Sequence, residues 1–285
     1  MQGDFLTRIR SAYNQFTKAE KKVADFILED PGRVLFLSIS GLAEAAGVGD
    51  TSVFRFCRTL ELSGYQEFKM KLSLSLNEGE DGLDQFAGKK VALTDGFAQV
   101  AQKVLAANVE TLNETYSLLD EAAFSRAVEI LNAADSIWFF GVGGSMLTAM
   151  KAMNKFLRIE PKVRALPDTH MQAMAAAVMK ENDAAVIFSH SGATKDTIHV
   201  AQLAKKAGAQ VICVTRFVKS PLTAFSDVTL LSGANEGPFQ SGSASAEVSQ
   251  MFLIDLLYTE YYRRYFKRCS ACNEKSAESV MERLV

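Results

Sequence analysis

Hydrophobic positions recur in two different rhythms along the chain, and the change falls near residue 97. In the first stretch they mark short helices. Thr17-Lys18-Ala19-Glu20 fits a capping box, and Val23, Phe26 and Ile27 follow at helical spacing. Pro31-Gly32 stops that helix, and Ser38-Ile39-Ser40 offers a second cap before residues 41–46. Residues 42–60 read as a small-residue helix, a tight turn at Gly47 and a second helix from about Asp50, with Val48 turned inward. The spacing predicts a buried stripe of Val53, Phe54, Cys57 and Leu60. The opposite face then presents Thr51, Ser52, Arg55, Arg58 and Thr59, with Lys69 and Lys71 of a following helix near the same side. Residues 77–96 are acidic, glycine-rich and without periodicity, which predicts a linker.

Beyond it, two long helices are predicted over 97–119 and 120–133. Strands at 136–140, 163–166, 184–189, 210–215 and 228–231 then alternate with helices at 145–158, 169–179 and 194–207, and a last helix covers 244–265. Residues 184–188 and 211–214 are apolar on both faces, as strands inside a parallel sheet covered by helices must be. The expected architecture is an all-α helix-turn-helix domain (1–77), a linker (78–96), a three-layer α/β/α domain with a five-stranded parallel sheet (97–266) and a C-terminal tail (267–285) with no assigned element. The helices at 97–119 and 244–265 are candidates for an oligomer interface.

Composition leaves this picture intact. The chain has 285 residues, enough for two cores, and at 48% hydrophobic and 22% charged it has ordinary globular composition. Its net charge of −2 does not announce a nucleic-acid partner, so charge placement has to carry that argument. No apolar run is long enough to span a bilayer, and the N-terminus lacks a signal-peptide pattern, so no membrane partner and a cytoplasmic location are expected. Cys57 and Cys213 lie in apolar-periodic segments and read as buried thiols. Cys269 and Cys272 form a lone C-x-x-C, and zinc would need two more ligands. The pair reads as incidental on a surface helix, with no metal and no cofactor expected.

Two strand-to-helix loops carry the chemistry. Gly141-Val142-Gly143-Gly144-Ser145 lets backbone approach a ligand closely at a helix N-terminus, where an anion is favoured. Dinucleotide binding is the rival: Asp168 stands in range of the acidic position it needs, but Met146 occupies its third glycine position. In the second loop Ser189, Ser191 and Thr194 can each donate to a phosphate oxygen, and helix amides add further donors. A capped turn is the alternative, but one hydroxyl suffices for a cap.

The spacing of Leu42-Ala43, Val48, 53–58, Leu60 and 64–69 resembles the N-terminal domain of the RpiR/MurR family of bacterial transcriptional regulators. The chain departs from that pattern at Gly49, where serine is usual and Asp50 is the substitute cap, and at Glu61, where glycine is favoured. The second half resembles the SIS (sugar isomerase) domain through Gly141-x-Gly143-x-Ser145, Ser189-His190-Ser191-Gly192-x-Thr194 and Ser220-Pro221-Leu222-x-x-Phe225-Ser226-Asp227. Ala193 replaces a glutamate that many members carry. The resemblance implies that Ser145, Ser189, Ser191 and Thr194 hold the phosphate of a phosphosugar, with Gly143 and His190 in the same loops. Asp168, His170 and Glu247 are candidates for the sugar, against a helix cap for Asp168 and a surface charge for Glu247. His199 reads as structural or exposed.

These pieces together predict a regulator of sugar or amino-sugar catabolism. Its DNA-contacting residues would be Asp50, Thr51, Ser52, Arg55, Arg58, Thr59 and Lys69. Its partners would be a palindromic double-stranded operator, a phosphosugar effector and further copies of itself in a homodimer or homotetramer. The competing class is a sugar-phosphate aldose–ketose isomerase. That reaction needs a general base tuned near neutrality, for which only Glu247, His170 and His190 qualify, and it leaves the first domain unexplained.

Overall fold

The computed structural model describes residues 5–76, 91–92, 94–233 and 244–281. Most of the expected linker, 77–90 and residue 93, lies outside the described residues. The chain divides into two compact units, with the division between Glu110 and Thr111.

The first unit contains α1 (Phe5–Ala12), α2 (Lys18–Glu29), α3 (Pro31–Val34), α4 (Ile39–Ala45), α5 (Asp50–Thr59) and α6 (Tyr65–Leu76). Both expected caps form. The Thr17 hydroxyl accepts from the Glu20 amide at 3.4 Å while the Glu20 carboxylate accepts from the Thr17 amide at 2.7 Å. The Ser38 hydroxyl accepts from the Gly41 amide at 2.9 Å. The helices enclose Ile9, Val23, Ile27, Leu42, Val53, Phe56, Cys57, Leu60 and Phe68.

One residue of the expected core moves. Phe56 is fully buried, with its ring 5.0 Å from Phe16 and 5.7 Å from Phe68, whereas Phe54 is 42% exposed. The run Val53-Phe54-Arg55-Phe56-Cys57 is apolar over too wide an arc for spacing alone to fix its phase. The gap between Phe16 and Phe68 fixes it, and the buried stripe is Val53, Phe56, Cys57 and Leu60.

Helix α7 (Phe97–Ser117) begins in the first unit and ends in the second. The second unit continues with α8 (Glu121–Ala133), β1 (Ile137–Phe140), α9 (Gly144–Leu157), β2 (Val163–Ala165), α10 (Thr169–Ala177) and β3 (Ala184–Phe188). Then follow α11 (Lys195–Lys206), β4 (Gln210–Thr215), β5 (Val228–Leu231), α12 (Ala244–Arg264) and α13 (Phe266–Met281). The five strands form one parallel sheet in the order β2-β1-β3-β4-β5. Period-two alternation splits each central strand between two cores. Val186, Phe188, Ile212 and Val214 join Leu131, Phe156, Leu253 and Leu257 on one face. Ala185, Ile187, Val211 and Cys213 join Ala176, Val200 and Ala204 on the other. This is the expected three-layer α/β/α arrangement.

The expected tail is helical as far as Met281. Cys269 of α13 is fully buried against the sheet core rather than lying on a surface helix, and Cys272 is half-buried. Arg268 anchors the helix: its guanidinium donates to Asn132 at 2.9 Å and to the Tyr261 hydroxyl at 2.5 Å, and it lies 3.2 Å from Glu160. Residues 266–281 are mostly polar, and the helix is held by Cys269 in the core and by Arg268 on Asn132, Tyr261 and Glu160.

Candidate functional site

In the first unit, α4 and α5 form a helix-turn-helix. Thr51, Arg55 and Arg58 of α5 are exposed, at the three- and four-residue spacing of one helix face. The Arg58 guanidinium donates forward to the Leu62 carbonyl at 3.2 Å, and Ser52 lies half-buried at the edge of this face. Other expected DNA contacts have internal partners. The Thr59 hydroxyl donates to Glu20 at 3.0 Å. Burial pushes the Glu20 carboxyl up, but hydrogen bonds from Thr17 and Thr59 outweigh it and hold the group below its ordinary value. Asp50 accepts from the Ser40 hydroxyl at 2.5 Å and does not cap α5, whose N-cap Gly49 has no side-chain bond. Lys69 is a correction. It is buried, and its ammonium donates to the Leu37 carbonyl at 3.2 Å, close to the Tyr65 ring, because α6 packs that face inward.

Glu61 explains a departure noted in the sequence. It follows α5 with φ 58°, in the left-handed region where glycine is at ease. The Leu62 amide then closes the helix onto the Cys57 carbonyl at 3.0 Å. The chain tolerates a side chain there, and its carboxylate meets Arg8 at 3.0 Å on the surface.

In the second unit, strand order reverses between β1 and β3, which is the switch point where open α/β sheets bind ligands beyond the strands' carboxyl ends. The two chemical loops leave the sheet at these adjacent strands. Gly143 caps α9 at φ 60°, with Ser145 half-buried in its first turn. Ser189 is buried at the end of β3, its amide completing the ladder to the Val214 carbonyl at 3.0 Å. Gly192 turns the second loop at φ 59°, and a Cβ there would stand 2.2 Å from the Ser220 hydroxyl oxygen, so only glycine fits. The Ser191 hydroxyl accepts from the Ala193 amide at 3.2 Å. Thr194 is the N-cap of α11, yet its side chain makes no capping bond; α9 likewise starts without one. Two helix N-termini therefore converge on the switch point with amides that no capping side chain satisfies.

Asp168 and His170 begin α10, after β2, the other neighbour of β1. Both are exposed, and the Asp168 carboxylate caps its helix by accepting from the Met171 amide at 2.9 Å. Glu247 of α12 is ion-paired with Lys151 of α9. The pair lines an open groove of about 780 Å³ among Leu147, Met150, Met251 and Tyr258.

Several residues of the rim escaped the sequence reading. Gln172, buried, clamps the Gly141 peptide, donating to its carbonyl at 2.9 Å and accepting from its amide at 3.4 Å. The Thr215 hydroxyl donates to the His190 carbonyl at 3.2 Å, and the Thr215 carbonyl accepts from the Ser232 amide at 2.9 Å. The Gly233 amide donates to the Thr115 hydroxyl at 3.1 Å, which pairs with the Ser249 hydroxyl at 2.8 Å. Along this line of contacts, the Ser232 hydroxyl and the Gln250 amide nitrogen are buried and without a hydrogen-bond partner among the described residues. Such groups carry a cost that a ligand or water removes. Nothing local marks either glutamine: Gln172 shares α10 with Thr169 and His170, and Gln250 shares α12 with Ser249, Asp255 and Glu260.

With this geometry in place, similarity to known proteins becomes informative. Residues 3–79 match the helix-turn-helix domain of the rpiR family, and residues 130–260 match the SIS domain. A Haemophilus influenzae protein named only as an HTH-type transcriptional regulator is 33% identical over 283 residues, covering 99% of this chain and 98% of that protein. The HTH-type transcriptional regulator HexR of Pseudomonas aeruginosa is 35% identical over 256 residues, covering 90% of this chain and 88% of HexR. The structure of the Vibrio vulnificus NanR protein complexed with ManNAc-6P superposes with a TM-score of 0.87 at 29% identity, covering 98% of this chain and 99% of that chain.

Proposed function

The chain belongs to the RpiR family of HTH-type transcriptional regulators, and from that premise we propose that α5 reads an operator while the loops at the switch point bind a phosphorylated sugar that modulates this binding. Residues 1–77 form the DNA-reading domain and 97–266 the sensor. Thr51, Arg55 and Arg58 supply the DNA contacts, with Ser52 at their edge. Ser145, Ser189, Ser191 and Thr194 cradle the phosphate, with Gly143 and His190 shaping the loops. Asp168, His170, Ser232 and Gln250 meet the sugar. The protein works as a homodimer or homotetramer on a two-fold operator.

The observation that carries this reading is the pair of α9 and α11 N-termini, without side-chain caps and lined with hydroxyls, on either side of the strand-order reversal. The ManNAc-6P bound to NanR supports the ligand class. Among the described residues, no helix is long and apolar enough to cross a membrane.

The test is a thermal-shift panel of ManNAc-6P, N-acetylmuramic acid 6-phosphate, N-acetylglucosamine 6-phosphate, glucosamine 6-phosphate and ribose 5-phosphate, run with duplex-binding anisotropy. A ligand that binds only the folded protein raises its melting temperature by mass action. One sugar phosphate should do so and shift duplex affinity, and Ser189→Ala with Thr194→Ala should abolish both effects. A panel without any shift, or duplex binding insensitive to salt, sinks the reading.

A further inference from the structure

Phe54 stands where a solvent-facing helix needs no aromatic ring. The buried stripe of α5 is Val53, Phe56, Cys57 and Leu60. The stripe opposite, at three- and four-residue spacing, is Thr51, Phe54, Arg55 and Arg58, and all four are exposed. A single exposed apolar residue is ordinary on a protein surface. This one lies between a hydroxyl and two guanidiniums, in the N-terminal half of the second helix of a helix-turn-helix, where side chains reach base edges. Its Cε2 lies 3.8 Å from the place a Cβ on Gly64 would take, so one edge of the ring rests over the start of α6.

We propose that Phe54 is a base-reading residue that contacts the C5-methyl group of a thymine in the major groove. The inference rests on the reading that α5 enters that groove. A phenyl ring has no donor for a phosphate or a base edge, and the apolar feature the major groove offers is the thymine methyl. Arg55 and Arg58 beside it complement the phosphates, so the stripe as a whole fits duplex DNA better than an apolar protein surface. Phe54 then adds sequence discrimination without adding to the electrostatic part of binding.

The experiment uses the full-length protein and a duplex that it enriches from a random pool. Each thymine of that duplex is replaced in turn by deoxyuridine, which removes only the methyl group, and affinities are read by fluorescence anisotropy. The wild type should lose about three- to fivefold at one position per half-site, the effect of uncovering one methyl. Phe54→Ala should bind the thymine and deoxyuridine duplexes equally, and Phe54→Leu should keep part of the difference. The slope of log affinity against log salt should stay unchanged in Phe54→Ala and fall by about one in Arg58→Ala. An unchanged melting temperature of Phe54→Ala separates a contact from a folding defect. A Phe54→Ala protein that still distinguishes thymine from deoxyuridine, or a wild type indifferent to every replacement, overturns the proposal while leaving DNA binding intact. Failure of the wild type to enrich any duplex overturns both this proposal and the reading beneath it.

Discussion

Single residues in this chain divide by where their hydrogen bonds go. Lys69 and Arg58 are both basic and both near the DNA-reading helix, but the Lys69 ammonium is buried on the Leu37 carbonyl while Arg58 is exposed. Lys69→Ala removes that charge-assisted bond, leaving the Tyr65 hydroxyl at 3.2 Å as the Leu37 carbonyl's partner, and should cost about 1–2 kcal/mol of stability, read by chemical denaturation, with the salt dependence of duplex binding unchanged. A lowered salt slope in that variant would return Lys69 to the DNA interface. Ser232 and Gln250 make the opposite case, since each holds a buried polar atom without a partner among the described residues. Ser232→Ala or Gln250→Leu should stabilise the ligand-free protein by roughly 1 kcal/mol, because an unpaired buried group is removed. The same changes should weaken phosphosugar binding and leave inorganic phosphate binding untouched. Melting curves with and without each ligand read both signs, and equal loss for phosphate and phosphosugar would rule out a sugar contact.

Among the elements, boundaries were legible wherever a cap or a breaker marked them. Thr17, Pro31 and Ser38 mark the starts of α2, α3 and α4, and the central strands β3 and β4 announced themselves by runs apolar on both faces. The two candidate loops were legible because one packs glycines, and the other a glycine and more hydroxyls than one helix cap needs, between a buried strand and a helix. What escaped had no local signature. Phe54 and Phe56 are interchangeable in spacing until Phe16 and Phe68 fill one side. Gln172, Ser232 and Gln250 gain meaning only from neighbours far along the chain. The exit of α5 offers a test. Glu61→Gly relieves a left-handed side chain worth about 1–2 kcal/mol, offset by glycine's larger unfolded-state entropy and a surface pair to Arg8. Net stability should rise by about 0.5 kcal/mol in urea denaturation, and a fall would show that the Arg8 pair outweighs the strain. The Glu20 box at α2 sets an acid limit. Its folded carboxyl value lies below its ordinary 4.5, so its contribution is present above that pH and lost as pH falls through the lower folded value. Glu20→Gln should flatten this part of the stability–pH curve, and an unaltered curve would assign the acid loss elsewhere.

Across the whole molecule, two units with separate cores have to influence one another if a sugar is to regulate DNA binding. An effector with equal affinity for both forms shifts nothing, and a coupling of about 1–3 kcal/mol corresponds to a 5- to 150-fold change in duplex affinity. Among the described residues, helix α7 is a continuous element that crosses the division. Its last turns bear on the candidate site: Glu114 lies 3.7 Å from Arg216, and Thr115 bonds Gly233 and Ser249 beside Ser232 and Gln250. A ligand that rearranges this rim therefore acts on a helix whose other end belongs to the first unit. Ala106→Gly with Ala107→Gly softens α7 on the first unit's side by about 1 kcal/mol per position without touching either proposed site. Each affinity measured alone should stay close to wild type, while the factor by which the phosphosugar changes duplex affinity should fall toward one. Linkage requires the duplex to change phosphosugar affinity by that same factor, so calorimetry with and without saturating duplex provides an independent reading of it. A double variant that keeps the full factor in both titrations would show that the coupling does not run through α7.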